Sequence, residues 1–162
     1  MKSIRDFELN NKRILVRCDF NVPLDDAGNI LDDFKIKQSL PTIKYLIEHK
    51  AKIILMSHLD PKRMGFVSPD VTLRGVAHEL SQLLNVSVDL APDCVGIHVQ
   101  EMVSHLENGQ VILLENLRMH MGEKDNLEQF SKNLASLADV YINDAFAECH
   151  RAYASIVGVP KY

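Results

Sequence analysis

The chain has 162 residues, of which 46% are hydrophobic and 25% are charged. This composition is typical of one soluble globular domain with a single core. The formal net charge of −4 argues against a nucleic-acid binder that works through a basic surface. The longest apolar runs are far shorter than the roughly 20 residues that a membrane span needs, and the first residues lack the apolar centre of a secretory signal. Three widely spaced cysteines indicate neither a disulfide framework nor a zinc site, so we expect a reduced, cytoplasmic protein.

Five short aliphatic runs predict strands, at 13–17, 51–56, 85–90, 110–114 and 139–143. Between them, apolar residues spaced by three and four predict helices within 39–50, 76–84 and 126–138. Pro41 is expected in the first turn of its helix or at a kink, and Asp125 or Asn126 is expected to cap the last helix. Because the strands show no polar face, we predict parallel strands covered on both sides. The predicted fold is a doubly wound, mostly parallel α/β sheet with helices on both faces, a Rossmann-like three-layer domain over residues 1–162.

Polar residues follow four of the five predicted strands, whereas the segment 91–96 after the third is unremarkable. Parallel strands end at one edge of the sheet, where open α/β sheets bind ligands. The residues predicted at this edge are Asp19, Asn21, His58, Lys62, Arg63, Arg118, His120, His150 and Arg151. Arginine binds phosphate or carboxylate oxygens in pairs, so this set suits a small anion with phosphate, carboxylate and hydroxyl groups. No glycine-rich phosphate loop and no nucleophile elbow occurs in the sequence.

Each candidate also has an ordinary structural explanation. Asp19 and Asn21 could cap a turn through local side-chain bonds, and His58 could be a buried histidine whose hydrogen bonds are satisfied. Arg118 could pair with Glu115 or Glu123, and Arg151 could be a surface charge. Glu115 and Asn116 are expected to brace the loop around Arg118. Taken together, the four loops favour a binding edge, because otherwise polar residues would have to follow four strands of one sheet by chance.

Two pairs, Cys94 with His98 and Cys149 with His150, could be imagined as metal ligands. No second pair accompanies either of them, so ordinary core or loop residues explain them better. We expect no metal site in this chain.

Five motifs extend this interpretation: "LVRCDFNVPL", "DDFKIKQSLPTI", "MSHL", "ENLRMHMGEKDN" and "YINDAFAECHRAYAS". In this order, across the whole chain, they resemble the N-terminal domain of the phosphoglycerate kinase family. The resemblance implies reversible phosphoryl transfer between 1,3-bisphosphoglycerate and ADP. It implies that this domain holds the glycerate while a second domain holds MgATP or MgADP.

The resemblance also assigns roles to residues. Asp19 and Asn21 match the pair that grips the hydroxyl and carboxylate end of the substrate, and His58, Arg118 and Arg151 match the anchors of its non-transferred phosphate. Lys35 stands at the position of the catalytic arginine of the family. The substrate-binding residues expected from the motifs are Asp19, Phe20, Asn21, Lys35, His58, Leu59, Asp60, Pro61, Arg118 and Arg151. No nucleotide ligand and no metal ligand is expected here.

The sequence departs from the family pattern at three places. Lys35 keeps the charge of the arginine but not its planar fork. In "SHLDPK", Asp60 replaces a glycine and Pro61 an arginine, with Lys62 or Arg63 as possible substitutes. The sequence ends at Tyr162, so we expect a glycerate-binding half that lacks its nucleotide domain and is inactive alone.

We expect this chain to bind no cofactor by itself and to have neither nucleic acid nor membrane as a partner. A monomer is expected, with dimers through exposed apolar surface as an artefact. The alternative function is a non-catalytic module, derived from this domain, for binding small anions or for protein interaction.

Overall fold

A computed structural model describes residues 3–25, 27–60 and 71–162. The strands are β1 (Arg13–Arg17), β2 (Lys52–Met56), β3 (Val88–Leu90), β4 (Val111–Leu113) and β5 (Val140–Asn143). The helices are α1 (Phe34–Glu48), α2 (Arg74–Leu84), α3 (Ile97–Ser104), α4 (Met121–Lys124) and α5 (Glu128–Ala135). A π-helical turn, Ala154–Gly158, follows β5.

The five strands form one parallel sheet in the order β3-β4-β2-β1-β5. At its centre Leu15 lies opposite Ile54 on one side and Tyr141 on the other. All five predicted strands are present, although the third and fourth are shorter than the aliphatic runs that predicted them. The prediction of a parallel α/β sheet is therefore confirmed.

Helices cover both faces of the sheet. Successive side chains of a strand point to opposite faces: Ile14 and Val16 pack in one apolar cluster, whereas Leu15 packs in the other. The first cluster includes residues of α1 and α2, and the second includes residues of α3 and α5. The three-layer arrangement is thus confirmed, and α3, which the sequence analysis missed, belongs to it. Among the described residues, no helix is long and apolar enough to cross a bilayer.

The first-turn alternative for Pro41 and the predicted cap of α5 are wrong. Pro41 lies in the interior of α1 and not in its first turn. Helix α5 begins after Leu127, which caps it without a side-chain hydrogen bond. Asn126 instead adopts a left-handed conformation with φ of 49°, which asparagine tolerates better than most residues. It reverses the chain between α4 and α5, so it cannot also have the extended backbone of an N-cap.

Close packing fixes the π-helical turn against α5. A Cβ atom on Gly158 would lie 2.1 Å from Ser131 Oγ and 2.6 Å from Asn126 Oδ1. Glycine is therefore required at this position to let the turn approach α5. The turn carries Ser155, which contributes to the candidate site.

Candidate anion-binding site

The carboxyl ends of β1, β2, β4 and β5 bring the loops with the predicted polar residues to one edge of the sheet. His58 follows β2 there and is buried, with 2% of its surface exposed. Its Nδ1 atom lies 3.0 Å from Arg17 Nη2. Because a guanidinium can only donate, Nδ1 is the acceptor of this bond. His58 Nε2 makes no hydrogen bond to any residue that the structure describes.

Positive charges surround this histidine from several elements. Burial, and after it the charges of Arg17, Arg118, Lys35 and Arg151 in that order, lower the pKa of His58 to about 2. The ring is therefore neutral at physiological pH. Four cations near one neutral donor form a site that favours an anion.

Arg17 was not among the predicted site residues. It ends β1 and has no exposed surface. Its Nε donates to Ser155 Oγ at 2.8 Å, and its Nη1 donates to the carbonyl of Cys18. Burial lowers the pKa of Arg17, and the nearby charge of Glu123 opposes that effect. In the sequence, only the position of an arginine at the end of an otherwise apolar strand could have pointed to it.

Glu123 completes this buried network. It has no exposed surface and accepts hydrogen bonds from Ser155 Oγ at 2.6 Å and from Ser155 N at 2.9 Å. Ser155 therefore connects Glu123 to Arg17, and Arg17 connects to His58. The network joins α4, the π-helical turn, β1 and the loop after β2.

Arg118 and Arg151 share one aromatic ring. The guanidinium carbons of Arg118 and Arg151 lie 4.6 Å and 5.9 Å from the centre of the Tyr153 ring, within the range of a cation–π interaction. Tyr153 was also missed by the sequence analysis. Arg118 Nη1 is buried and has no hydrogen-bond partner among the described residues. A buried donor without a partner is costly, so an oxygen atom of a ligand or water would be stabilising at this position.

The expected bracing of the Arg118 loop is confirmed. Glu115 accepts hydrogen bonds from Leu73 N at 2.8 Å and Thr72 Oγ1 at 2.6 Å. Asn116 Oδ1 accepts from the backbone N–H groups of Leu59 and Arg118. The alternative that Arg118 pairs with Glu115 or Glu123 is wrong within the described segments, where neither carboxylate bridges to it.

Asp19 and Asn21 combine a turn with a second contact. Asp19 Oδ1 accepts a hydrogen bond from Asn21 N at 3.1 Å, which is the local turn that the sequence allowed. Asp19 Oδ2 lies 2.7 Å from Lys35 Nζ, and Asn21 Oδ1 accepts from Asp60 N at 3.0 Å. Asp19 and Lys35 line a cleft of about 380 Å³ with Asp144, a size suitable for a small ligand.

Phe20 and Leu59 are buried in the apolar core. Ser57 Oγ accepts the N–H of Phe20 at 2.8 Å, and Asn116 accepts the N–H of Leu59. The side chains of these two predicted binding residues therefore contribute packing, and any contact with a ligand falls to the backbone. Pro61, Lys62 and Arg63 lie outside the described residues.

His120 is not brought into this group. Its Nε2 lies 2.5 Å from Asp93 Oδ1, and its ring stacks on Phe130. The loop after β3, which appeared unremarkable, supplies Asp93. Cys94 joins Asp93 and His120 in a cluster of possible metal ligands, but its thiol donates to the Glu115 carbonyl at 2.9 Å, and burial raises the pKa of that thiol. His150 is exposed, and the charges that act on His58 do not include it.

A further acidic residue, besides Asp19 and Glu123, lies near the cations. Glu148 belongs to the turn between β5 and Arg151, and its negative charge acts on Arg17. Its Oε2 atom is buried and has no hydrogen-bond partner within the described segments. The sequence analysis did not single out this residue.

An open parallel α/β sheet with a cluster of cationic side chains at its carboxyl edge defines a class of protein that binds small anions. Comparison with known proteins agrees with this class and identifies the family within it. The family model described as phosphoglycerate kinase matches residues 4–162. This chain therefore belongs to the phosphoglycerate kinase family.

Relatives and solved structures give the same result. The chain is 51% identical to phosphoglycerate kinase of Aquifex aeolicus over 162 residues, which cover 99% of this chain and 40% of that protein. It is 48% identical to the cytosolic phosphoglycerate kinase of Triticum aestivum over 160 residues, covering 99% and 39%. The structure of the Pyrococcus horikoshii kinase superposes with a TM-score of 0.88 at 36% identity, covering 98% of this chain and 40% of that one. The chain thus spans about two fifths of the length of these relatives.

Proposed function

We propose that this chain is the glycerate-binding part of a phosphoglycerate kinase, a single domain over residues 1–162. In the whole enzyme it would take part in phosphoryl transfer between 1,3-bisphosphoglycerate and ADP. The observation that carries this proposal is the buried Nη1 of Arg118, which has no partner among the described residues and belongs to one of the cations around His58. A phosphate oxygen would satisfy this donor with a charge-assisted hydrogen bond.

The non-transferred phosphate would bind between Arg118, Arg151 and His58. The two arginines are held on the Tyr153 ring, so little conformational freedom is lost when they close on an anion. His58 would add a neutral N–H donor from Nε2. Family membership and the charges around His58 both support this placement.

Asp19 and Asn21 would hold the hydroxyl and carboxylate end of the substrate, and Lys35 would take the catalytic position. Lys35 Nζ is bound to Asp19 at 2.7 Å beside the cleft. In phosphoryl transfer, most of the catalysis comes from positioning and from stabilising charge on the transferred group. Lys35 would supply one positive charge for that purpose, without the two-oxygen geometry of arginine.

In the whole enzyme, the nucleotide and its magnesium ion would bind to the part that corresponds to the other three fifths of the relatives' length. We assign no residue here to them. By itself the chain would bind the glycerate without turning it over, because the phosphoryl donor or acceptor site would be missing. The name of the wheat relative supports a cytosolic location, and we propose that the chain is a monomer.

The second candidate function is a non-catalytic module that binds small anions. The ion pair between Lys35 and Asp19 favours it, because a lysine already neutralised by a carboxylate offers less charge to a phosphoryl group. Turnover by a full-length kinase that carries this domain would decide against this candidate. A full-length kinase that binds 3-phosphoglycerate but does not turn over would favour it.

Calorimetric titration with 3-phosphoglycerate tests the binding site. We expect saturable binding that Arg118→Ala weakens by about 10- to 100-fold, since a hydrogen bond to a charged group contributes about 1.5–3 kcal/mol. Arg13→Ala is the matched control, because it also removes one arginine. Arg13 lies at the amino end of β1, about 13 Å along the strand from the carboxyl end where the site lies. Binding that is absent at millimolar ligand, or that both variants weaken equally, would contradict the proposal.

A further inference from the structure

We propose that Arg17 is a positioning residue that fixes His58 as a neutral donor through Nε2–H, aimed at the anion site. Arg17 has no exposed surface, so its contribution to ligand binding acts through His58. This inference rests on the proposed function for the identity of the anion. The state of the His58 ring can be measured without any ligand.

The direction of the bond between Arg17 and His58 determines the tautomer. Arg17 Nη2 lies 3.0 Å from His58 Nδ1, and a guanidinium in a protein remains protonated and cannot accept a hydrogen bond. Nδ1 must therefore carry a lone pair, which excludes both the Nδ1–H tautomer and the imidazolium. The single ring proton is left on Nε2.

Two further hydrogen bonds fix the plane of the guanidinium. Nε donates to Ser155 Oγ at 2.8 Å and Nη1 donates to the Cys18 carbonyl. Ser155 is held in turn by Glu123, through its hydroxyl at 2.6 Å and its backbone N–H at 2.9 Å. Arg17, Ser155 and Glu123 all have no exposed surface. Because rotation of the guanidinium would break several buried hydrogen bonds at once, Nη2 stays directed at His58.

The positive charges around His58 also favour its neutral ring over the imidazolium. They come from β1 (Arg17), α1 (Lys35), the loop after β4 (Arg118) and the loop after β5 (Arg151). An imidazolium would add a fifth positive charge to this group in a buried position. A neutral N–H donor adds a hydrogen bond to the anion without that cost, so His58 would contribute equally to anion binding across the physiological pH range.

The test is a long-range ¹H–¹⁵N correlation spectrum of the histidine side chains, with His58 assigned by its loss in His58→Gln. We expect an unprotonated Nδ1 and a protonated Nε2 for His58, unchanged between about pH 5 and pH 8, the range in which an ordinary histidine titrates. An Nδ1–H tautomer, or a His58 ring that titrates in this range, would overturn the inference.

Variants test whether Arg17 is the cause. Arg17→Lys keeps the charge but cannot donate to Ser155, Cys18 and His58 together, so we expect His58 to change its spectrum and 3-phosphoglycerate to bind about 10-fold more weakly. Arg13→Lys is the same substitution at the other end of β1 and should leave both unchanged. If Arg17→Lys does not fold, Ser155→Ala removes one support of the guanidinium and should change the His58 spectrum in the same direction.

The outcomes separate the two proposals. If the parent protein shows the expected tautomer and Arg17→Lys changes the His58 spectrum, but the parent binds no 3-phosphoglycerate, the proposed function fails and the positioning of the ring by Arg17 stands. If the parent binds 3-phosphoglycerate while Arg17→Lys changes neither the His58 spectrum nor the affinity, the positioning role fails and the proposed function stands.

Discussion

Replacing Glu123 by glutamine should destabilise the fold strongly, because it removes the charge that offsets a buried arginine. Glu123 and Arg17 are both fully buried and are joined through Ser155. The substitution keeps the shape of the side chain, but its amide NH₂ replaces one of the two oxygens that accept from Ser155. Leaving one member of a buried ionic network without its counter-charge costs about 3–5 kcal/mol.

That loss is large compared with the roughly 5–15 kcal/mol that stabilises a typical domain. For a chain of this size it corresponds to a fall in Tm of about 6–20 °C. Urea unfolding followed by circular dichroism would measure it as a lower midpoint with an unchanged slope. The matched control is Glu128→Gln, which removes the same charge from an exposed pair with Lys132 and should leave the midpoint unchanged. A Glu123→Gln midpoint equal to that of the parent would refute the reasoning.

Three further predictions concern the site. The pKa of His58 is about 2 in the folded chain against an ordinary value of 6.5, so below pH 6.5 the unfolded chain binds a proton that the folded chain does not. The free energy of unfolding should therefore fall with decreasing pH, by about 1.4 kcal/mol per pH unit from His58 alone. Urea unfolding at several pH values should show that this free energy depends less steeply on pH in His58→Gln than in the parent. An equal pH dependence in the two proteins would contradict this. Lys35→Arg in a full-length kinase that carries this domain should raise kcat by about tenfold or more, because arginine spans two phosphoryl oxygens, and equal rates in a coupled assay would count against it. Glu148→Gln removes a negative charge that acts on Arg17, so calorimetry should find 3-phosphoglycerate bound several-fold more tightly, whereas unchanged or weaker binding would show that Glu148 does not compete with the anion.

The fold was largely predictable because burial on both faces leaves a clear pattern. A central parallel strand has no polar side, so its sequence is a short aliphatic run, and all five such runs form strands. Helix α3 was missed because only Val99 and Val103 are fully buried in it, too few positions to show a helical period. The predicted cap of α5 failed because an asparagine can serve either as a cap or as a left-handed turn residue. Only packing against the π-helical turn distinguishes the two.

The candidate site was predictable in its location more than in its internal connections. Arg118, Arg151, His58 and Lys35 were predicted as site residues from the rule that ligands bind at the carboxyl edge and from the family motifs. Arg17 was read as a strand residue, because its main partner Ser155 lies 138 residues away along the chain. A distant hydrogen bond leaves no signal in the local sequence pattern.

The sequence by itself determined the fold class, the family and the loops that form the proposed binding edge, because hydrophobic periodicity and short motifs are local properties of the chain. Only the tertiary structure decided which partners the polar residues at that edge contact. It turned His120 toward Asp93 and away from the site, and it placed Arg118 and Arg151 on one tyrosine. It also connected His58 to Glu123 through Arg17 and Ser155. The physical reason is that hydrogen-bond partners and charges act through space at a few ångströms, and only the folded chain brings distant residues within that range.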